Sequence, residues 1–334
     1  MDSKKGSPLY ILNVLREETD GEHFLTQNQI RDLVEKRYGI HVERKSISDT
    51  LNLLEEAGYD INKAPNGKGV ALISHLFDDS QIAFLVDSIL SSKSITSKQA
   101  SELIKQIYAT CSKHSQHDLE SIQKSTDTSR AVNEQLFFSI DRLSEAIRDR
   151  KMVKFDYWTY DISGNLVPPT EKKYYKVNPC FLVNNFGSYY FIANYTRHPG
   201  LVSFRIEFMR EVQVLDEPAK KLEDIPEIGV NFNLSQYLNE HIYLFGGQVE
   251  DVTFSFQSEY MFRYVFEWFG KSARIKKDGD HYVCSVRCDD KAFFYWAMQY
   301  GDNIEVLTPK SLRKDLLQAA KNMLAKYETE PAQN

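Results

Sequence analysis

No stretch of 18 or more apolar residues occurs in the 334-residue chain, so no segment reads as a membrane-spanning helix. Cysteine is scarce: four residues make no disulfide framework in a chain this long, which fits a reducing compartment. The opening residues, MDSKKGSPLYILNVLREETDGEH, are charged within a few positions of a short apolar run and lack a small-residue cleavage site, so they do not read as a secretory signal. A cytoplasmic protein with no membrane partner is expected. Excess positive charge is missing too: 41 Lys and Arg against 47 Asp and Glu give a net charge of −6, which excludes a generally basic nucleic-acid coat but leaves room for a local binding face. Catalytic signatures are lacking. No P-loop, GxSxG elbow, HExxH helix or Cys–His pair with an orienting group appears, so neither an enzyme nor a cofactor is expected. The one cluster with metal-ligand chemistry is HYVCSVRC, where Cys284 and Cys288 would share one face of a strand and His281 the other, with no fourth ligand near. Half-buried strand cysteines, not a metal site, are the expectation there.

What the chain does contain is average globular composition, 42% hydrophobic and 26% charged, at a length that implies two or three domains. Residues 1–75 give three helical patterns and a hairpin. Leu9, Leu12 and Leu15 recur at helical spacing; TQNQ, with Thr26 capping and Gln29 reaching back, starts a second helix whose stripe is Ile30, Leu33 and Val34. ERKSISDTLNLLEEAG puts Ile47, Leu51 and Leu54 on one face, with Gly58 suited to its end. Asn66-Gly67 between two short strand-like runs is a hairpin signal, and the order helix, helix, helix, hairpin is that of a winged helix-turn-helix.

Residues 76–130 form a helical linker. One stripe runs through Ile82, Leu85, Val86 and Ile89 and another through Leu103, Ile104, Ile107 and Tyr108, the latter opened by a capping box from Thr96 to Gln99. These two helices are candidates for dimer contact, and the polar run from Lys113 to Arg130 reads as an exposed boundary. Over 131–218, a helix carrying Leu136, Ile140, Leu143 and Ile147 leads into five short strands, the pattern of a small β-barrel. In SFRIEF, Phe204, Ile206 and Phe208 are expected on one face and Arg205 and Glu207 on the other. The strand GSYYFIANY loads both faces with bulky side chains: Tyr189, Phe191 and Tyr195 on one, Tyr190 and Ile192 on the other. A linker over 219–248 is followed, at 249–328, by a βαββαβ ferredoxin-like series with one added helix.

The strand-rich segment resembles the WYL domain, an Sm-like barrel found mainly in bacterial transcriptional regulators. The triplet position here is Tyr189-Tyr190-Phe191, VNPCFLV looks like the family's Pro-containing strand and SFRIEF like the segment that follows. The ending YGDNIEVLTPKSLRKDLLQAAKNMLAKY is similar to the WCX extension that accompanies WYL domains. The triplet keeps only its middle Tyr, and Phe208 stands where the family often has Arg. The fold class expected is thus multidomain α+β: winged helix-turn-helix, helical linker, Sm/SH3-like small barrel, ferredoxin-like C-terminal domain.

In a winged helix-turn-helix the third helix enters the major groove. With its apolar residues turned inward, that helix offers Arg44, Lys45, Ser46, Ser48 and Asp49, with Asn52 a turn on, and the wing adds Lys63 and Lys68. Arg and Lys suit guanine edges, Asn suits adenine and Ser suits phosphate. The resemblance implies an effector, often a nucleotide or single-stranded nucleic acid, held by basic and aromatic groups on the barrel. Tyr190, Arg197, His198 and Arg205 lie in or near the matching strands, and Lys154 and Tyr157 on the first strand are expected beside them. Arg263, Lys271 and Arg274 are further candidate charges. The expectation is a ligand-responsive homodimer on a palindromic duplex operator; the alternative is an accessory protein binding single strands without regulating a promoter.

Overall fold

Side-chain caps at Thr26, Asp78 and Thr96 start three of the helices in the first third of the chain. Three helices, α1 (Ser7–Glu18), α2 (Gln27–Tyr38) and α3 (Arg44–Glu56), are followed by an antiparallel pair, β1 (Ile61–Lys63) and β2 (Val70–Leu72), in the computed structural model, which describes residues 6–122, 133–171 and 174–328. The capping box at α2 is formed: Thr26 N–H donates to Gln29 Oε1 at 2.8 Å and Gln29 N–H to Thr26 Oγ1 at 3.3 Å. Asn66 Oδ1 accepts the Lys68 N–H at 2.8 Å and Gly67 takes φ +71°, so the hairpin turn has the chemistry its sequence implies. Ile11, Val14, Leu15, Ile30, Val34, Ile47 and Leu72 make the core. Leu9 is left out of it at 66% exposure, whereas Leu12 and Leu15 of the same line are buried beside Ile11 and Val14.

Next come α4 (Asp79–Ser91), α5 (Ser97–Tyr108) and α6 (Lys113–Ile122), with Ile82, Val86, Tyr108 and Cys111 clustered. The polar run expected to be an exposed boundary is helical as far as Ile122; its remainder, residues 123–130, lies outside the described residues. Ser112 explains the helix: its hydroxyl accepts the Ser115 N–H at 3.0 Å and donates to Asp20 at 2.7 Å, tying α6 to the α1–α2 turn. The chain divides into two units, Met1–Glu134 and Gln135–Asn334.

In the second unit α7 (Leu136–Asp149) lies against an antiparallel sheet of β3 (Lys151–Tyr157), β6 (Tyr174–Asn185), β7 (Ser188–Asn194), β8 (Leu201–Arg205) and β9 (Met209–Pro218), in the order β8-β7-β6-β3-β9; β4 (Thr159–Tyr160) and β5 (Leu166–Val167) form a separate ribbon. The register of β6 on β7 shifts between Pro179 and Phe181, where proline has no N–H for the ladder. β6 there passes from β3 on one side to β7 on the other. The closed barrel expected from the strand pattern is not found: among the described residues β8 and β9 are the two edges of an open sheet. The cause is local. Ile206–Phe208 folds as a 3-10 turn, bonding to itself through Met209 N–H and Ile206 O, so β8 stops at Arg205. The same turn breaks the expected alternation, since Glu207 is buried along with Phe204 and Ile206.

After α8 (Leu234–Glu240), the strands β10 (Val249–Phe256), β11 (Arg274–Asp278), β12 (His281–Asp289) and β13 (Ile304–Thr308) form a second antiparallel sheet in the order β11-β12-β10-β13. Helix α9 (Met261–Phe269) joins β10 to β11, α10 (Asp290–Gln299) joins β12 to β13, and α11 (Lys310–Glu328) is appended, giving the expected βαββαβ order. Phe254, Phe269, Phe293 and Trp296 fill its core. Cys284 and Cys288 are fully buried in that core, deeper than the half-burial expected, while His281 is exposed. Burial pushes both thiols up to about 12.

Candidate functional site

On α3 the structure keeps Arg44, Lys45 and Asn52 exposed, as it does Lys63 and Lys68 on the hairpin; Ser46 and Ser48 are half-buried. The inward side is Ile47, Thr50, Leu51 and Leu54. Gln27, which opens α2, was not singled out by sequence and bridges to this face. Its Nε2 donates to Ser48 Oγ at 2.9 Å and its Oε1 accepts from Arg44 Nε at 2.8 Å. Lys45 and Asn52 have no hydrogen-bond partner among the described residues, so the face presents one pre-oriented arginine beside two free polar groups.

The doubly loaded strand β7 is covered on both faces. Phe191 points into an aromatic cluster in which Phe155 and Phe204 rings lie 5.0 Å apart and Tyr157 and Phe204 5.4 Å apart. Ile192 points the other way and packs with Cys180, Leu201, Ile225, Ile228, Tyr237 and Leu244. The segment after β9 therefore seals the outer face of the sheet, with Tyr190 half-buried at the edge of that seal.

Tyr190 is paired across the strands with Arg205, and three of the six nominated effector residues, Tyr157, Tyr190 and Arg205, come together. Tyr157 Oη accepts the Arg205 N–H at 3.1 Å, and burial pushes its phenol up to about 12. Burial also raises Tyr190. Arg205 is not a free cation: Nε donates to Glu207 Oε1 at 2.8 Å, Nη2 donates to the same oxygen, and the guanidinium lies 5.1 Å from the centre of the Phe208 ring. Two of its five N–H donors are so engaged. Phe208 thus serves as the platform for Arg205. Arg210, which sequence reasoning missed, supplies a second guanidinium: it donates to Glu207 O at 2.9 Å and Met209 O at 2.8 Å and sits 5.3 Å from the Trp158 ring. Desolvation lowers its pKa. Its position two residues beyond Phe208 was the available signal.

The other nominated residues lie elsewhere. Arg197 and His198 are in the turn before β8, whose far end carries Arg205 four residues from Leu201, about 13 Å along a strand. Lys154 stands over the Tyr174 ring at 4.4 Å on β3. Arg263, Lys271 and Arg274 are exposed in the C-terminal domain.

The turn at His198 is held by hydrogen bonds. Asn194 is fully buried and donates from Nδ2 to His198 O and Gly200 O, both at 2.8 Å, while Asn178 donates to Asn194 Oδ1 at 3.3 Å. Beside this turn opens a cleft of about 790 Å³, lined by β8, Glu227, Tyr237, His241 and Phe245. Tyr237 is hydrogen-bonded to Ser203, and burial raises its phenol above the ordinary value. Glu227 accepts the Leu201 N–H at the sheet edge.

Residues 139–214 match the WYL domain model and residues 248–324 the WCX domain model. Among solved structures, proteasome accessory factor B/C (PafBC) of Arthrobacter aurescens is similar at 15% identity and TM-score 0.30, over 98% of this chain and 49% of that one, so this chain spans about half its length. A CRISPR Cas-related protein is similar at 10% identity and TM-score 0.38, over 76% of this chain and 74% of that one. No curated protein matches the chain. Helices that are long and apolar enough to cross a membrane are absent among the described residues. The chain carries a WYL domain followed by a WCX domain.

Proposed function

We propose that this protein is a WYL-type transcriptional regulator. It binds duplex DNA as a winged-helix homodimer on a palindromic operator and is controlled by a nucleotide or single-stranded nucleic acid at the WYL sheet. It is a cytoplasmic binding protein and not an enzyme. The observation that carries the DNA half is the α3 face: Arg44, Lys45 and Asn52 stand exposed over a buried Ile47–Leu51–Leu54 side, with Lys63 and Lys68 on the adjoining hairpin. A helix of this kind reads base edges while the hairpin touches the backbone. For dimer contact, α4 and α5 remain the candidates, and Phe84 on α4 is 72% exposed. The effector half rests on Arg205 and Arg210 beside Tyr157, Tyr190 and Trp158, cations and aromatic faces being what phosphates and bases need. Effector binding changes operator affinity only if it favours one arrangement of the paired DNA-reading helices over another.

Selection and sequencing of DNA fragments bound by the purified protein tests the proposal, repeated with mononucleotides and single strands added. Recovery of one palindromic duplex motif, weakened or strengthened by an added nucleotide or strand, is the expected result. Binding to single strands without duplex specificity would instead establish the accessory-protein alternative.

A further inference from the structure

The cleft beside the His198 turn has polar chemistry unlike that of the Arg205 end of the same strand. His198 Nδ1 accepts the Gly200 N–H at 3.0 Å, so in the neutral ring the proton is on Nε2, which is left as a donor. Glu227 uses Oε2 on the Leu201 N–H, and its other oxygen has no hydrogen-bond partner among the described residues. The carboxylate and the imidazole approach the same face of Gly200, 3.0 Å and 3.2 Å from where a Cβ would stand, so both groups are held together by a residue with no side chain. Phe245, 56% exposed, stacks on Tyr243 at 5.2 Å and lines the cleft. Its remaining surface is a platform for a flat ring. A cleft of about 790 Å³ with apolar walls and a few convergent polar groups is of ligand-binding size.

We infer that this cleft reads a guanine base, Glu227 accepting from its N1–H and N2–H groups and His198 Nε2–H donating to its O6. The inference rests on the effector being a nucleotide or nucleic acid and names the base it carries. Adenine has neither N1–H nor O6 and would leave the carboxylate facing a ring nitrogen lone pair. Arg205, at the far end of β8, lies about 13 Å from Leu201, so a strand that anchors its phosphates at the arginine has a neighbouring base within reach of the cleft.

Calorimetric titration of the full-length protein with GMP, AMP and XMP tests this. GMP is expected to bind about ten- to a hundredfold more tightly than AMP, the discrimination given by a bidentate pair. Glu227→Gln keeps an acceptor for the Leu201 N–H and offers an amide that accepts from N1–H and donates to a C2 carbonyl. Preference should therefore pass from GMP to XMP in the variant, a gain that an unfolded protein cannot produce. Equal affinity of the wild type for GMP and AMP, or an unchanged GMP-to-XMP ratio in the variant, overturns the guanine site while leaving the effector reading intact. If no mononucleotide and no single strand binds at all, the effector reading itself fails and the inference with it.

Discussion

The α3 face and the neighbourhood of β8 solve the problem of presenting charge in opposite ways. On α3 the polar side chains come from one helix, stand in solvent and are backed by a separate apolar stripe. Beside β8, Arg205 is held against Glu207, a carboxylate buried to 2% exposure, and the groups around it come from β3, β7 and the turn at Ile206–Phe208. Solvated charges cost the fold little and can change freely. A cation fixed by a buried acid is bound to the stability of its domain, so substitutions there should move folding and recognition together.

The largest break in that comparison is Glu207→Ala, which leaves the Arg205 guanidinium without its acid in a half-buried place. We expect about 3 kcal/mol to be lost from the second unit. All three tryptophans, Trp158, Trp268 and Trp296, lie in that unit, so the fluorescence transition in denaturant should shift while helical circular dichroism retains a component at the wild-type midpoint. A shift of both signals together would show that the loss is not confined to the second unit. The first unit has its own partly buried charge at Asp20. Burial alone would raise that carboxyl, but hydrogen bonds from Ser112, the Glu22 N–H and His23 outweigh it and hold it at about 2. Its folded pKa is depressed, so the stabilisation is complete above the unfolded value near 4 and disappears as pH falls towards 2. Asp20→Asn should cost about 1–2 kcal/mol at neutral pH, the full shift being discounted for partial exposure of the carboxylate, and next to nothing below pH 2. A deficit that persists unchanged in acid would mean that the aspartate acts by shape and not by charge.

Legibility followed the same division. Helix starts at Thr26 and Thr96, the Asn66-Gly67 hairpin and the outward set on α3 depend on residues within a few positions of one another, and local spacing revealed them. Leu9 and Ser112 show the limit even there, because packing settles where a buried stripe ends and which distant side chain a hydroxyl meets. The β8 neighbourhood was half legible. Alternation paired Tyr190 with its strand, and the WYL resemblance drew attention to Arg205. Nothing in SFRIEF announces that the strand ends at Arg205, because phenylalanine and isoleucine favour strands and only the turn to β9 overrides them. Glu207 was therefore placed on the face opposite Phe204 and Ile206, Arg210 was passed over, and Glu227, contributed from beyond β9, was out of reach of any local pattern.

Smaller effects belong to the solvated face. Lys45→Ala should cost at least about 1 kcal/mol on the selected duplex and little on random duplex, as read by fluorescence anisotropy at one salt concentration. Equal losses on both would make Lys45 a phosphate contact.

The smallest expected effect concerns Gln27, the one residue that gives the α3 face some of the fixed character of the β8 neighbourhood. Its amide holds Arg44 and Ser48 at once, and both bonds are near the surface, where each is worth about 0.5 kcal/mol or a little more. Gln27→Ala should hardly move the melting transition, since no buried group is exposed by it. Arg44 would regain rotamers that it must give up on binding, so affinity for the selected duplex should fall by about 0.5–1 kcal/mol. If Arg44 reads a base, this penalty is larger on the selected site than on random duplex and is absent when Arg44 is already alanine. Additive losses in the double variant would show that Gln27 contacts DNA itself instead of positioning the arginine.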